Sequence, residues 1–438
     1  MTPERDRVVV VGGGFAGLKA VKALAGAEAN VTIVDQHNFH TFQPLLYEVA
    51  TAGMEPADVA YPIRTIFGRQ KNVMFRHGLV VGIDTEKREV KLDGDSALPY
   101  DYLVVATGAA AGFLGVTGAA QNSRPLYTLA DARRLRNDLL LCLEQVDSHP
   151  ERFDGGAPVF VVVGGGPTGV ETAGALMELI DVTVKRDGLK LDRERTRIIL
   201  LDAADRLLTA FRPTGSKYAE QTLENRHVDI RLEERVAAIT PNGVKLQSGE
   251  EIKAALVVWA GGVTVSGTLA DSLPGPRTRG GRIQVEPDLS LPGHPEIFVV
   301  GDAAAVPVGG KSDEITPQLA PVAIQSGHHA GRQIVRRIAG EPPQPFRYVD
   351  KGIMATIGRR AAVAQLPVGP IIRGTLGWLA WLGLHLVYLI GFRNRIQVLI
   401  NWAWRYLDWT SGPRLIMGDV ERESDVEMDS EQQSAGVG

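Results

Sequence analysis

The chain has very little cysteine: Cys142 is the one thiol in 438 residues. That excludes a disulfide framework, a C-x-x-C redox pair and a cysteine-held iron–sulfur cluster, and it suits a reducing compartment. An excess of one charge is missing too. Lys and Arg number 47 against 51 Asp and Glu, a formal net charge of −4, which excludes the basic surface of a nucleic-acid binder. The nine histidines are scattered. His37/His40 and His328/His329 have no carboxylate or thiolate partners at ligand spacing, so no metal site is expected. After Met1-Thr2-Pro3-Glu4-Arg5 the chain enters its first strand at once, leaving no room for a signal peptide. The apolar content of 44% fits a folded, near-neutral protein, and the length allows two or three domains.

What is present is organised around residues 8–35. Val8-Val9-Val10-Val11 runs into Gly12-Gly13-Gly14-Phe15-Ala16-Gly17, a helical pattern reaches Ala25, and Val31-Thr32-Ile33-Val34 ends in Asp35. Strand, G-x-G-x-x-G turn, helix, strand and acid in this order form a dinucleotide-binding unit. Gly12 permits the tight turn, Gly14 lets a pyrophosphate approach the backbone, and Gly17 lets helix and strand pack closely. The helix opening at Phe15 and Ala16 offers phosphate its free N–H groups and positive dipole end. Asp35, 18 residues past Gly17, can accept ribose hydroxyls. The glycines alone would give a plain tight turn; the helix and acid in register argue for the nucleotide. Next comes the aromatic loop Asn38-Phe39-His40-Thr41-Phe42-Gln43-Pro44-Leu45-Leu46-Tyr47. Two readings stay open for it: packing under the sheet, or a wall beside a cofactor's reactive ring.

Residues 73–81, 88–92 and 102–105 read as strands between polar turns, and the last ends in Ala106-Thr107-Gly108, small enough for backbone contact with a ligand. A helix over residues 130–146 carries Cys142 among leucines, as a core residue. Then the grammar repeats. Residues 159–163 lead into Gly164-Gly165-Gly166-Pro167-Thr168-Gly169 and a helix from Val170; residues 198–201 end in Asp202. Further strands are read at 228–232 and 244–246, and Leu256-Val257-Val258-Trp259 closes on Ala260-Gly261-Gly262. Repetition outweighs any single motif. The charged run 185–197 reads as a solvated insertion lengthening the second copy. An α/β fold follows, with two Rossmann-like domains and an adenine dinucleotide on each. Residues 297–300 with Gly301-Asp302 read as a third buried strand ending in an acid. A helix is expected to start at Pro321, whose missing N–H costs nothing at the first helical position. Aimed at a flavin, its N-terminus would stabilise charge on the reduced ring, and Asp302 could accept a sugar-chain hydroxyl. The plainer reading is an ordinary edge with a capping Asp.

GGGFAG with Asp35, ATG, GGGPTG and VVGDAAA, in this order, resemble the two-dinucleotide flavoproteins of the glutathione-reductase type. LAPVAIQSG is similar to the helix start those enzymes place under the flavin. Within that superfamily NFHTFQPLLYEVATAG, GGGPTGVE, VVWAGG and DKGIMATIGRRAAVA…WLAWLGLHLVYLIGFRNR resemble the type II NADH dehydrogenases, single-subunit NADH:quinone oxidoreductases, over residues 7–418. The resemblance implies non-covalent FAD on Gly12, Gly14, Phe15, Ala16, Gly17, Asp35, Gln43, Ala106, Thr107, Gly108, Gly301, Asp302, Gln318, Leu319 and Ala320. It implies NADH on Gly164, Gly166, Pro167, Thr168, Gly169, Asp202, Ala260 and Gly261. Hydride would pass to the flavin and two electrons onward to a membrane-borne quinone, and a homodimer is expected. Glu171 matches a family carboxylate near flavin and nicotinamide, a proton-handling or positioning group; as a first-turn helix acid it would be favourable anyway. Gln325 matches the second glutamine of the family's A-Q-x-x-x-Q quinone motif, whereas Pro321 replaces the first and Glu48 stands where many relatives carry glutamine. Asp202 would repel a 2′-phosphate and favour NADH over NADPH, with Arg206 close enough in sequence to matter. Sulfide:quinone chemistry is disfavoured by the lack of redox cysteines. The rivals are another acceptor, oxygen or a soluble carrier, and a membrane-attached NADH sensor.

Residues 374–392 are 19 residues without formal charge, about 28 Å of helix, just enough for a bilayer core. Five of the six tryptophans lie from Trp378 to Trp409, and tryptophan prefers membrane interfaces. Ile396, Leu399, Ile400, Ala403 and Leu407 then recur at helical spacing opposite Gln397, Asn401, Arg405 and Asp408, an interfacial amphipathic pattern. Spanning, interfacial and buried or dimer-forming helices all compete for the first segment; its glycines and the resemblance favour an anchor dipping into one leaflet, with residues 374–409 on the cytoplasmic face of the cell membrane. The expected organisation is 1–118 and 281–340 for FAD, 119–280 for NADH, 341–418 for membrane attachment or dimerisation, and a disordered acidic tail at 419–438.

Overall fold

The computed structural model describes residues 5–94, 96–265, 267–308, 311–407 and 414–417; the acidic tail and Trp409 lie outside them. Two largely parallel sheets carry the two glycine motifs. In the first, Asp6–Val11 lies between Ala29–Asp35 and Tyr102–Val105. Val73–His77 extends one side, His294–Val299 and then Ser290–Leu291 the other. In the second, Val159–Val163 lies between Arg197–Leu201 and Leu256–Trp259, with Val228–Arg231 and Arg124–Pro125 outside them. The registers match. Val11 stands opposite Val34 and Val105, and Val163 opposite Leu201 and Trp259. Val8, Val10, Val161 and Val162 are fully buried, as strands covered on both faces must be, which is why these segments read as unbroken valine runs. Each sheet also carries a small antiparallel unit, Val80–Asp84, Glu89–Leu92 and Ala97–Pro99 on one and Val236–Thr240, Gly243–Leu246 and Glu251–Lys253 on the other.

Close backbone approach sets the glycine positions. A Cβ on Gly17 would stand 1.8 Å from the Gly12 carbonyl oxygen, and one on Gly169 would stand 1.7 Å from that of Gly164. Nothing lies within 4 Å of the corresponding point on Gly14 or Gly166. The chain returns to the first sheet through the helix Ala320–Ile338, which lies against Phe15–Ala23 so tightly that a Cβ on Gly327 would be 2.0 Å from the Ala16 carbonyl oxygen. This contact carries Gly301 and Asp302 back beside the first glycine loop.

Several expectations change. The strand read at 73–81 divides at Gly78, because Val73–His77 joins the parallel sheet whereas Val80–Asp84 turns into the antiparallel unit. The return helix begins at Ala320, so Pro321 occupies its second position, where the N–H is equally dispensable. Residues 185–197 are not wholly solvated: Leu191 and Thr196 are buried and Arg193 pairs with Asp181 at 2.5 Å. The C-terminal quarter is not only helical. Ile353–Gly358, Ala361–Gln365 and Ile371–Arg373 form an antiparallel sheet packed on the helix Pro167–Val182, where a Cβ on Gly174 would meet the Ile357 carbonyl oxygen at 2.4 Å.

The apolar run 374–392 is not one helix. Gly374–Tyr388 spans 15 residues, about 22 Å; Leu389 is already extended, and the turn closes at Gly391, whose φ is +88° and where a Cβ would stand 2.5 Å from the Tyr61 ring. Phe392–Leu407 follows. Among the described residues no helix is long and apolar enough to cross a membrane. Trp378, Trp381 and Trp402 are buried in protein rather than set at an interface, because this face of the helices completes the core beneath Tyr47. The other face is uncovered, with Leu376, Leu379, Leu384, Val387, Ile396, Leu399 and Ile400 exposed.

Helix contacts of this closeness admit no side chain. Gly327→Ala is expected to destabilise the protein by about 1–3 kcal/mol through overpacking. Gly383→Ala, in a helix with open space around it, is expected to be neutral or to stabilise by up to about 1 kcal/mol. Thermal unfolding midpoints of the two variants check the contrast.

Candidate functional site

Each glycine loop is clasped by the acid that ends the next strand. The Gly13 N–H donates to Asp35 Oδ2 at 2.6 Å, and the His37 N–H donates to Oδ1 at 2.7 Å. In the second copy the Gly165 N–H donates to Asp202 Oδ2, and the Ala204 N–H to Oδ1 at 2.7 Å. An ionised carboxylate has about four acceptor positions, so each acid keeps capacity for the hydroxyls of a ribose. The loops leave on the same backbone path: φ and ψ are −74° and −170° at Gly14, and −71° and −178° at Gly166. Pro167 opens the second helix.

A cavity of about 1100 Å³ runs from the first loop across the switch point of the sheet, where open α/β sheets bind ligands. Gly12, Gly14, Phe15, Ala16, Asp35, Gln43, Ala106, Thr107, Gly108, Gly301, Asp302, Gln318, Leu319 and Ala320 all line it. Gly17 does not, and serves the helix–strand contact instead. Thr168 and Glu171, from the second-copy helix, line the same space. Gly164, Gly166, Gly169, Asp202, Ala260 and Gly261 belong to the second loop and its neighbours, where the Ala260 N–H donates to the Val163 carbonyl at 2.8 Å.

The Asp302 corner joins Gln43 and Gln318 to Tyr127, a residue that carried no motif. The Tyr127 hydroxyl donates to Asp302 Oδ2 at 3.3 Å and accepts the Ala109 N–H at 3.1 Å. The Gln43 amide Nε2 donates to the Tyr127 carbonyl at 3.3 Å, and Gln318 Nε2 to the Asp302 carbonyl at 3.1 Å. Burial pushes the Tyr127 pKa up to about 12, so the phenol remains a neutral donor. Burial also raises Asp302, with the Tyr127 hydroxyl and Arg282 opposing. Arg133, exposed at the rim, adds a cation to the lining. A lone Tyr or Arg between motifs gives no sequence signal.

Glu171 is buried, and the Thr356 N–H of the C-terminal sheet donates to its Oε1 at 3.2 Å. Burial pushes its pKa up to about 8; the Thr356 N–H opposes, the Glu48 carboxylate adds to the rise, and the Trp381 indole opposes. At neutral pH the carboxyl is therefore protonated, which a surface first-turn acid would not be. Gln325 is placed elsewhere. It is absent from the cavity lining, about 200° round the helix from Ala323, and its Nε2 and Oε1 bond the Val349 carbonyl at 2.9 Å and N–H at 3.0 Å. The amide straps the C-terminal segment to the return helix. Arg206 is likewise committed, to the carbonyls of Phe211 at 3.2 Å and Thr209 at 3.0 Å.

Cys142 is buried, and burial pushes its thiol up to about 12. No thiolate is available for disulfide chemistry. Native protein is expected to resist alkylation by a thiol reagent at pH 7.5 and to take up one equivalent only after unfolding; stoichiometric labelling of the native fold would contradict this placement.

Comparison with known proteins agrees with this geometry. Residues 6–327 match the family model described as pyridine nucleotide-disulphide oxidoreductase, and residues 351–408 match the NDH2 C-terminal domain. The type II NADH:quinone oxidoreductase Ndh of Mycobacterium tuberculosis is 38% identical over 429 residues, covering 94% of this chain and 90% of that protein. A second protein of that organism, type II NADH:quinone oxidoreductase NdhA, is 38% identical over 99% of this chain and 94% of its own length. Among solved structures, NDH2 from Plasmodium falciparum in complex with NADH superposes with a TM-score of 0.84 at 18% identity, covering 94% of this chain and 100% of the other, a likeness of fold. Family models, full-length relatives and the duplicated glycine loops together place the chain among the type II NADH:quinone oxidoreductases.

Proposed function

We propose that the protein oxidises NADH and reduces a quinone, with FAD in the cavity of the first copy and NADH on the second. The observation that carries this is the meeting of the two copies: Thr168 and Glu171, from the helix behind the second glycine loop, line the cavity built by the first. When bound, FAD accepts hydride from NADH and hands two electrons to the quinone. The balance is NADH, one proton and quinone giving NAD⁺ and quinol. The cradle fits such a group. Gly14 faces open space, Gly12 and Gly17 leave no room for a side chain, and Asp35 and Asp302 supply acceptors where sugar hydroxyls are expected.

The chain's own groups bind, orient and hold a proton. Asp202 accepts ribose hydroxyls on the second copy and repels a 2′-phosphate; with Arg206 turned to the Phe211 and Thr209 carbonyls, NADH is preferred. Glu171 holds a proton on the wall of the cavity at neutral pH. Because its pKa is raised to about 8, the proton is present below that value and lost as pH rises through it. Purified protein is expected to oxidise NADH rapidly only when a quinone is supplied. Equal rates with oxygen alone, or tight NADH binding without turnover, would contradict the reading.

The uncovered apolar face of the C-terminal helices supports attachment to a membrane surface, with the helices lying in the interface; the reading places them on the cytoplasmic face of the cell membrane. The reading includes a homodimer, which sedimentation of the detergent-solubilised protein tests. Two further outcomes are expected. Native kcat is expected to fall above about pH 8; Glu171→Gln is expected to lower kcat with quinone by about 100-fold or more, to leave KM for NADH nearly unchanged and to abolish that fall, and an unchanged pH profile would contradict the role. Leu376→Asp, Val387→Asp and Ile400→Asp combined abolish binding to lipid vesicles and reduction of a long-tailed quinone while sparing a short water-soluble one.

A further inference from the structure

His40 lies inside the protein behind the first glycine loop, 2% exposed, in the short strand Phe39–Thr41 that pairs with Ala60–Pro62. Its Nδ1 is 2.9 Å from the Gly13 carbonyl oxygen. A carbonyl only accepts, so Nδ1 carries the hydrogen and donates. Nε2 is buried without a partner among the described residues, and the Phe15 ring packs edge-on to the imidazole with centroids 5.0 Å apart. A proton on Nε2 would have nothing to bond. Burial accordingly pulls the pKa of the ring down to about 4, the Gly13 carbonyl opposing and Lys22 adding to the fall. The imidazole is thus held neutral, with its hydrogen on the nitrogen that faces the loop.

The second copy shows what that hydrogen bond is for. The equivalent carbonyl, of Gly165, accepts the backbone N–H of Leu208 at 2.8 Å. In both loops the middle glycine is therefore gripped at both ends, its N–H by the strand-end acid and its C=O by a donor from the segment that follows that acid. After Asp202 the chain turns back and supplies a main-chain donor. After Asp35 it departs into the hairpin, and a side chain replaces that donor. The Gly13–Gly14 peptide is trans, so its C=O and N–H point in opposite directions. Fixing the carbonyl on the buried side turns the Gly14 N–H away from His40. Gly14 lines the cavity.

We propose that His40 is a positioning residue for the flavin nucleotide: by donating Nδ1–H to the Gly13 carbonyl it sets the peptide that presents the Gly14 N–H to the cofactor's phosphates. It does for the first loop what the Leu208 main chain does for the second. The inference rests on FAD occupying the first copy, and one of its two measurements needs no cofactor reading at all.

Release of FAD from diluted holoenzyme, followed by the rise in flavin fluorescence, is the first test. His40→Leu keeps most of the volume and drops the donor; release is expected to quicken about 3- to 10-fold, the worth of one hydrogen bond. His40→Asn is smaller but places an N–H where Nδ1–H lies, and is expected to stay near the native rate. The Kd for NADH, set on the other loop, is expected to hold in both variants. If His40 only fills space, the order reverses and Asn is the worse substitution; that order, or a native release rate in the Leu variant, overturns the proposal. The second test uses unaltered protein. Nitrogen-15 spectra of the histidine rings at pH 7 should show, beside that of His385, whose Nδ1 lies 2.7 Å from the Trp381 carbonyl oxygen, a second neutral imidazole protonated at Nδ1 in both holo and flavin-stripped protein, lost in His40→Asn. An Nε2–H tautomer or an imidazolium for His40 overturns it, whatever the occupancy of the cavity.

Discussion

A carboxylate bonded to the N–H of a loop glycine is the contact on which the rest of the structure depends. Asp35 holds Gly13 and Asp202 holds Gly165, and each bond ties the end of one parallel strand to the turn that follows its neighbour. The turn must also let the next helix sit against its first glycine, which Gly17 and Gly169 alone permit. These two demands leave a concave, N–H-lined opening at the carboxyl end of the sheet, favourable to phosphate. Everything added later in the chain completes or covers that opening. The return segment brings Asp302, and the second copy brings Glu171.

Glu171 shows how burial converts an ordinary residue into a functional one. On an isolated helix its carboxylate would be ionised and solvated. Here the C-terminal sheet closes over it through Thr356 and Trp381 stands beside it, and desolvation outweighs what the Thr356 N–H and the Trp381 indole do for its ionised form. Glu48, itself buried and hydrogen-bonded to the Tyr47 hydroxyl at 3.3 Å, adds a second negative group. The proton is kept by the packing of three separate segments, not by any one partner.

Legibility in the sequence follows the range of the interaction. The two sheets could be read because a glycine loop, its helix and its acid lie within some forty residues, and the pattern occurs twice. Gly301, Asp302 and Gln318 were readable as a third strand and helix start. Tyr127, Thr356 and His40 were not: Tyr127 and Thr356 bond acids 175 and 185 residues away, and His40, 27 residues from Gly13, sits in no spacing that periodicity reports. Composition misled in the C-terminal quarter. Tryptophans at a membrane interface and tryptophans closing a core give the same sequence, and the contact of Trp381 with Tyr47 and His385 decides between them. For Gln325, position in a motif fixes the helix, and two residues of rotation from Ala323 turn the amide to Val349. A side chain at Gly391 is likewise excluded by Tyr61, over three hundred residues earlier.

The central claim is that two duplicated loops set a reductant and a flavin against one shared wall. Its most direct measurement is an anaerobic titration of purified protein, watching the flavin absorbance near 450 nm. One equivalent of NADH per bound flavin should bleach that band, and one equivalent of quinone should restore it. Protein that carries no flavin, or a flavin band that NADH leaves unchanged, would contradict the account.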